Sequence, residues 1–433
     1  MSGRGSTFDA LKIRNYRYFA TGSFISNTGT WMQRVAQDWL VLALTGSAGA
    51  LGITTGLQFL PILLFSPFAG VLADRYSKRT VLSLTQTMMC ATAALLGLLA
   101  ITGAVNVWHV YVLTFLFGIG TAVDTPARQA FVNEMVDDDH LSNAVGLNSA
   151  SFNLARMIGP ALAGLLIAWM GEGVSATGYV ILFNACTYAA VVVSLSMMRA
   201  DELNPVTPLG RAKGQIRDGI RYVRSRPDIL LIMAIVFCCG TFGLNFQMTT
   251  ALMATEVFEK GAGEYGLLGS IIAVGSLAGS LLAARRRQPR QRLIVLGAIV
   301  FGTIELITGL MPTYLTFALM LPLCGLAALT VITAANAFVQ MTTGAEMRGR
   351  VMALYMAIFM GGTPVGAPLL GWIAEHFGAR WTLVGGGALT VIGTLAATAW
   401  LARRQGVRFS PHLRPRPGVT IGTSESADIA AAA

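Results

Sequence analysis

The stretch Gly29–Leu42, GTWMQRVAQDWLVL, sets Arg34 and Asp38 four residues apart between apolar runs, with Gln33 and Gln37 beside them. Four residues make about one helical turn, so on a helix the two charges share a face and can pair. A charge at the centre of an inserted helix costs about 2.5–3.5 kcal/mol, which argues that neither faces lipid. A carboxylate that alternately gains and loses a neighbouring cation also loses and gains a proton. Asp38 is therefore expected to act as a protonatable switch with Arg34 as its regulator. A permanent ion pair that fixes helix packing fits the same spacing. Arg156 is a second candidate partner for Asp38, or else a brace to helix-end carbonyls. Glu305 sits in another apolar run and reads as a second proton site or as a buried neutral acid. No catalytic constellation and no metal-ligand cluster emerges.

Positioning these groups takes long helices. A helix over 16–44 is about 40 Å long, with Arg34 within roughly a turn of its midpoint. On it Ser23, Asn27, Thr30, Arg34 and Asp38 form one stripe, with Gln33 and Gln37 alongside, and Trp31, Val35, Trp39 and Leu42 form another. Eleven further apolar runs follow, at 51–73, 80–102, 107–132, 142–170, 177–198, 229–258, 265–284, 293–311, 314–341, 350–377 and 382–401. Each approaches or exceeds the roughly 20 residues needed to cross a bilayer. Polar stripes recur at Thr241, Asn245 and Thr249, and at Thr330, Thr333, Asn336 and Gln340. Among methionines and aromatics these suggest an adaptable pocket for amphiphiles.

Bulk composition agrees. The 433 residues are 54% hydrophobic and 12% charged, about half the charged share of soluble domains. The net charge of +10 lies in short basic blocks between apolar runs, which places the blocks at the cytoplasmic face and argues against nucleic acid as a partner. DRYSKR, RSRPD, RRRQPRQR, EMRGR and RRQGVR all fall on one side, giving cytoplasmic termini and a multi-pass protein of a bacterial inner membrane. The five cysteines sit in apolar runs and read as packing residues. No cleavable leader is expected. The chain divides into an N-terminus (1–14), a first six-helix bundle (15–198), a linker (199–228), a second six-helix bundle (229–403) and a disordered tail (404–433). In the linker Ile216, Ile220 and Val223 share a face opposite Arg217, Arg221 and Arg224, which suits an anionic leaflet.

The halves resemble each other. GPALAGLLIAWMG (Gly159–Gly171) and GAPLLGWIAEHFG (Gly366–Gly378) share three glycines at an offset of 207, and the same offset aligns AFV at 130–132 with 337–339 and Gly118 with Gly325. Duplicated halves are how many secondary transporters are built, with the site between them.

The segment GVLADRYSKR, with Gly70, Asp74, Arg75, Lys78 and Arg79, is similar to the loop signature of the major facilitator superfamily, with Ser77 where glycine is usual. Gly159, Pro160 and Gly164 resemble the antiporter element of its fifth helix. ISNTGTWMQRVAQDWLVLALTGSA, DTPARQAFVNEMV and NAVGLNSASFNLARMIGPALAGLLI resemble the drug:proton antiporter branch that includes macrolide-efflux and enterobactin-exporter-like proteins. The resemblance implies a fold of twelve transmembrane helices in two pseudo-symmetric bundles, all-α, and a proton-coupled exporter of small amphiphilic molecules working by alternating access. It also implies a gating cluster in which Asp124, a turn from Arg128, engages Arg75 or Lys78. The mid-helix arginine of many proton antiporters is absent from VLTFLFGIG in the fourth helix. Competing readings are a lysophospholipid or other amphiphile transporter, an importer, and a non-transporting sensor or scaffold. No phosphate loop, HExxH or GxSxG occurs, so neither an enzyme nor a cofactor is expected. The partners expected are a small-molecule substrate, protons and the bilayer.

Overall fold

In the computed structural model, residues 8–204, 215–285, 290–404, 408–412 and 418–422 are described, without the side chains of 66–71, 73, 74, 215, 216, 404 and the last two segments. Six helices form the first bundle: α1 (Arg14–Thr45), α2 (Ala48–Arg75), α3 (Lys78–Ile101), α4 (Val107–Met135), α5 (Asp138–Trp169) and α6 (Val174–Ser196). After a linker carrying α7 (Gln215–Ser225), the second bundle comprises α8 (Pro227–Cys238), α9 (Phe246–Leu252), α10 (Ala262–Ala284), α11 (Gln291–Gly309), α12 (Tyr314–Thr342), α13 (Ala345–Gly361), α14 (Thr363–Phe377) and α15 (Arg380–Arg404). Among the described residues, eleven spans are long and apolar enough to cross a membrane. The 32-residue α1 completes twelve; its polar stripe holds its hydropathy below the rest.

Two expected single spans are broken. The seventh passes from α8 through a π-helical turn, Cys239–Gly243, into α9 and a second π turn, Met253–Val257. Gly243 is wedged against the Phe301 ring, where a Cβ would sit 2.5 Å from a ring carbon. The eleventh is divided at Gly362 into α13 and α14. Pro364 follows, and it has no N–H to bond the preceding turn. The tail, expected to be disordered, contains an antiparallel pair, β1 (Arg408–His412) and β2 (Gly418–Gly422), paired Arg408 to Gly422 through His412 to Gly418; β-favouring Phe409, Val419, Thr420 and Ile421 sit in it. The linker helix α7 forms as expected. Val223 is buried in the second bundle's core and Asp218 pairs with Arg350 at 3.3 Å, so part of its apolar face is already taken.

The duplicated glycines repeat their packing. Gly164 meets Ala262 and Gly266 across the bundle boundary, and Gly371 meets Ala48 and Gly52 across it in the opposite sense. Gly118 abuts Gln58 and Pro61, while Gly325 abuts Ile272 and Ser276. Gly171 and Gly378 end their helices at φ 93° and 95°, a left-handed geometry that side chains resist.

The bundles touch chiefly along α5 against α10 and α2 against α14. An added Cβ at Gly164 would lie 2.4 Å from the Ala262 carbonyl oxygen, and one at Gly266 2.3 Å from the Pro160 oxygen. Gly146 lies about five turns back along the same face of α5, yet among the described residues nothing outside its own turn lies within 4 Å of the corresponding point. Among the described residues the approach of α5 to the second bundle is therefore tight on the side away from the termini and open at Gly146, toward the terminal side. Gly164→Val should cost about 1–3 kcal/mol by overpacking, lowering the thermal midpoint of the purified protein. Gly146→Val, facing the open space, should leave that midpoint within a degree or two.

Candidate functional site

At the closed side, Asp38 on α1 is buried, and its carboxylate is held by the opposite bundle. Oδ2 accepts hydrogen bonds from Gln247 Nε2 and from the Tyr265 hydroxyl, both at 2.6 Å. The Tyr265 ring stacks on Trp39 from α1, at 6.5 Å between centroids. Two further carboxylates tie the same side. Glu172, after α5, accepts from the Ala262 amide at 3.0 Å and so caps the first turn of α10. Glu375 on α14 accepts from the Gly49 amide at 3.0 Å and from the Ser47 hydroxyl at the start of α2. Each bundle thus lends a carboxylate to a helix N-terminus of the other, where unpaired amides and the helix dipole favour negative charge.

The expected Arg34–Asp38 pair does not form. Arg34 turns along its own helix instead, its guanidinium 4.5 Å from the Trp31 ring centroid and 5.6 Å from that of Phe59 on α2. Its Nε has no hydrogen-bond partner. Arg156 does not reach Asp38 either; it lies 5.6 Å from the same Trp31 ring. Gly159 lets this happen, because a Cβ there would sit 2.6 Å from that of Trp31. The physical reason for the missing pair is competition. Two neutral donors reach Asp38 from the second bundle, while Trp31 and Phe59 offer Arg34 a nearer aromatic face.

The rest of the polar stripe is divided. Thr30 bonds the Tyr188 hydroxyl at 2.7 Å, and Gln33 accepts from Asn184 at 2.6 Å, so both face α6 inside the first bundle. Gln37 is buried, and Asn27 is half-buried. Thr241, Asn245 and Thr249 are buried in the broken seventh span, with Thr241 beneath Gly362 and Gly366 of the eleventh. Thr330 bonds Gly279 and Leu326 carbonyls; Thr333 is half-buried and Asn336 accepts from Gln340. Glu305 is buried in the second bundle between Gly243 and Gly386, with Oε2 unpartnered.

A family model described as transmembrane secretion effector matches residues 5–409. The chain belongs to that family. It is a multi-pass membrane transporter of the major facilitator superfamily. It is 25% identical to the staphyloferrin A transporter of Staphylococcus aureus, over 84% of this chain and 90% of that one. It is 24% identical to macrolide efflux protein A of Streptococcus pyogenes over 88% and 94%, and 26% identical to the multidrug efflux pump Tap of Mycolicibacterium fortuitum over 83% and 89%. Among solved folds, a bacterial homologue of the lysosomal transporter Spinster, inward-facing and occupied, superimposes with a TM-score of 0.71 at 16% identity, over 92% and 98% of the two chains.

The loop cluster differs from expectation. Asp124 does not engage Arg75 or Lys78. It accepts from Arg128 at 2.9 Å, Gln86 at 2.7 Å and Thr85 at 3.0 Å, and Arg128 reaches on to Ser23. Three nearer donors already fill the Asp124 carboxylate. Lys78 pairs instead with Glu134 at 2.8 Å, with both side chains buried. Arg79 donates to the Ser196 carbonyl at 3.0 Å, and Arg75 is exposed. Gly70 and Asp74 lie outside the residues whose side chains are described. Sequence reasoning missed Glu134, Gln247, Tyr265, Glu172 and Glu375. Partners such as Glu375 and Gly49 are 326 residues apart, and no local spacing announces them. Lys78→Met should destabilise the protein by about 3–5 kcal/mol by stranding a buried carboxylate. Adding Glu134→Leu should restore most of the loss in a thermal or denaturant melt.

Proposed function

We propose that this protein exports an amphiphilic small molecule in exchange for protons, with Asp38 as the group that couples the two. The observation carrying this reading is that Asp38 is bound by donors of the opposite bundle rather than by Arg34. Both Gln247 and Tyr265 donate, so the arrangement suits a carboxylate, and a proton on Oδ2 is incompatible with keeping both bonds. Protonation at Oδ2 and closure of this side therefore oppose each other, and a proton on Oδ1 weakens both bonds by removing the charge they stabilise. When the bundles part here, Asp38 loses its donors and faces the opposite medium, where it takes up a proton. When they close again, the donors return and the proton leaves toward the terminal side. Substrate drives the cycle only through tighter binding to the state that follows.

Direction follows from charge. The basic blocks RSRPD and EMRGR lie on the terminal side, which the positive-inside rule makes cytoplasmic, so in this exchange protons enter as substrate leaves. Each proton then contributes about 2.3 kcal/mol per 100 mV of membrane potential. The relatives are named for efflux of macrolides and other drugs and for a siderophore, which supports export of a drug, siderophore or secondary metabolite. The broken seventh and eleventh spans, with glycines at their breaks, are suited to act as the bending points of alternating access.

In vesicles containing only this protein, substrate addition should drive measurable proton movement. Asp38→Asn should abolish that movement while leaving substrate binding in place. Tyr265→Phe removes one bond to a charged group, about 1.5–3 kcal/mol, and should shift the closed-to-open ratio roughly ten- to a hundredfold. Proton-coupled transport surviving in Asp38→Asn would defeat the proposal.

A further inference from the structure

The two arginines released from their expected role stand at a revealing place. Asp38 on α1 and Pro160 on α5 both touch the second bundle, Asp38 through Gln247 and Tyr265, and Pro160 against Gly266 and Gly269. Arg34 and Arg156 each lie one turn nearer the terminal side on those helices, about 40° around from the contact. Both are half-buried, one turn from the contacts that join the bundles and on the side toward the open space at Gly146. Both lie against Trp31, with guanidinium carbons 4.5 and 5.6 Å from its ring centroid. Phe152 meets the same ring edge-on at 6.1 Å, and Phe59 lies 5.6 Å from Arg34.

Two guanidiniums this close repel each other, and in a membrane interior each needs a counter-charge. Among the described residues neither has an ion-pair partner; the nearby acid, Asp38, is committed to Gln247 and Tyr265. Cation–aromatic contact of about 0.5–2 kcal/mol each holds the guanidiniums in place without neutralising them. The buried Nε of Arg34 remains without a hydrogen-bond partner.

We propose that Arg34 and Arg156, seated on Trp31, form the receptor for an anionic group on the transported molecule, a carboxylate, phosphate or sulfonate head. The Trp31, Phe59 and Phe152 rings receive the apolar part next to it. The substrate class is an amphiphilic anion. This rests on the export reading for its site. A guanidinium presents a planar fork of donors matched to such oxyanions. Anion arrival would also satisfy the two cations at the level where the bundles separate, so it bears on the same contacts that Asp38 closes.

The test uses three probes with one fluorophore and three charges: dansylglycine, dansylamide and dansylcadaverine. Binding is measured on the full-length protein in nanodiscs of zwitterionic lipid, with no gradient imposed. Dansylglycine should bind saturably and at least about tenfold tighter than the cationic dansylcadaverine, a ratio equivalent to about 1.4 kcal/mol. Arg34→Gln and Arg156→Gln should each weaken dansylglycine about tenfold, and the pair together should erase the preference for the anion. Dansylamide should be little affected. Arg34→Lys and Arg156→Lys, which keep the charge, should retain the order of the three probes. They serve as the readout should a glutamine variant fail to fold, as does salt, which should weaken dansylglycine alone. Asp38→Asn should keep the anion preference. Binding that survives there while proton exchange is absent in the wild type would defeat the export reading and leave the receptor standing. Equal binding of the three probes, no saturable dansylglycine binding, or an anion preference unchanged in the double glutamine variant would overturn the receptor.

Discussion

Carboxylates of one bundle satisfied by donors of the other govern this structure. Asp38 reaches Gln247 and Tyr265, Glu172 caps α10, and Glu375 caps α2. Each bond exists only while the far side is shut, since each joins a group of the first bundle to one of the second. In a membrane interior an abandoned carboxylate or helix end is costly, so the closed state has definite partners and the open state must find replacements. Water supplies them for Glu172 and Glu375 at the surface. For Asp38, deeper in, the exchange proposed above makes a proton the replacement.

The glycine pairs give this closure its precision. At Gly164 and Gly266, and at Gly52 and Gly371, helices approach so closely that a single added methyl would strike a neighbouring main chain. Such contacts are either made or broken, with little between, and this is how small local shifts become a switch between two packings. The broken seventh span supplies Gln247 just after its π turn. The latch and the bending point are therefore within one turn of chain.

Much of the architecture was legible from sequence because it follows from composition and period. Apolar run lengths marked the spans, and the offset of 207 marked glycines that do repeat their packing roles. Gly159, Pro160 and Gly164 were recognised as special, and they prove to set the approach of α5 to Trp31 on one side and to α10 on the other. The partners of charged groups were not legible. One-turn spacing within a helix shows which groups can meet, and for Asp124 and Arg128 they do. For Arg34 and Asp38 stronger claims come from groups more than two hundred residues away or from an aromatic ring three residues back. Spacing along one helix holds no information about what the neighbouring bundle offers.

Spin labels at Thr45 and Lys260, exposed on the two bundles at the far side, provide the most direct measurement of whether a proton on Asp38 opens the protein. Distances between them should lengthen as pH falls in the wild type, with a growing open population. In Asp38→Asn the distribution should be biased toward the open distance at every pH and lose its pH dependence between them. An Asp38→Asn protein that closes and opens with pH as the wild type does would contradict the account.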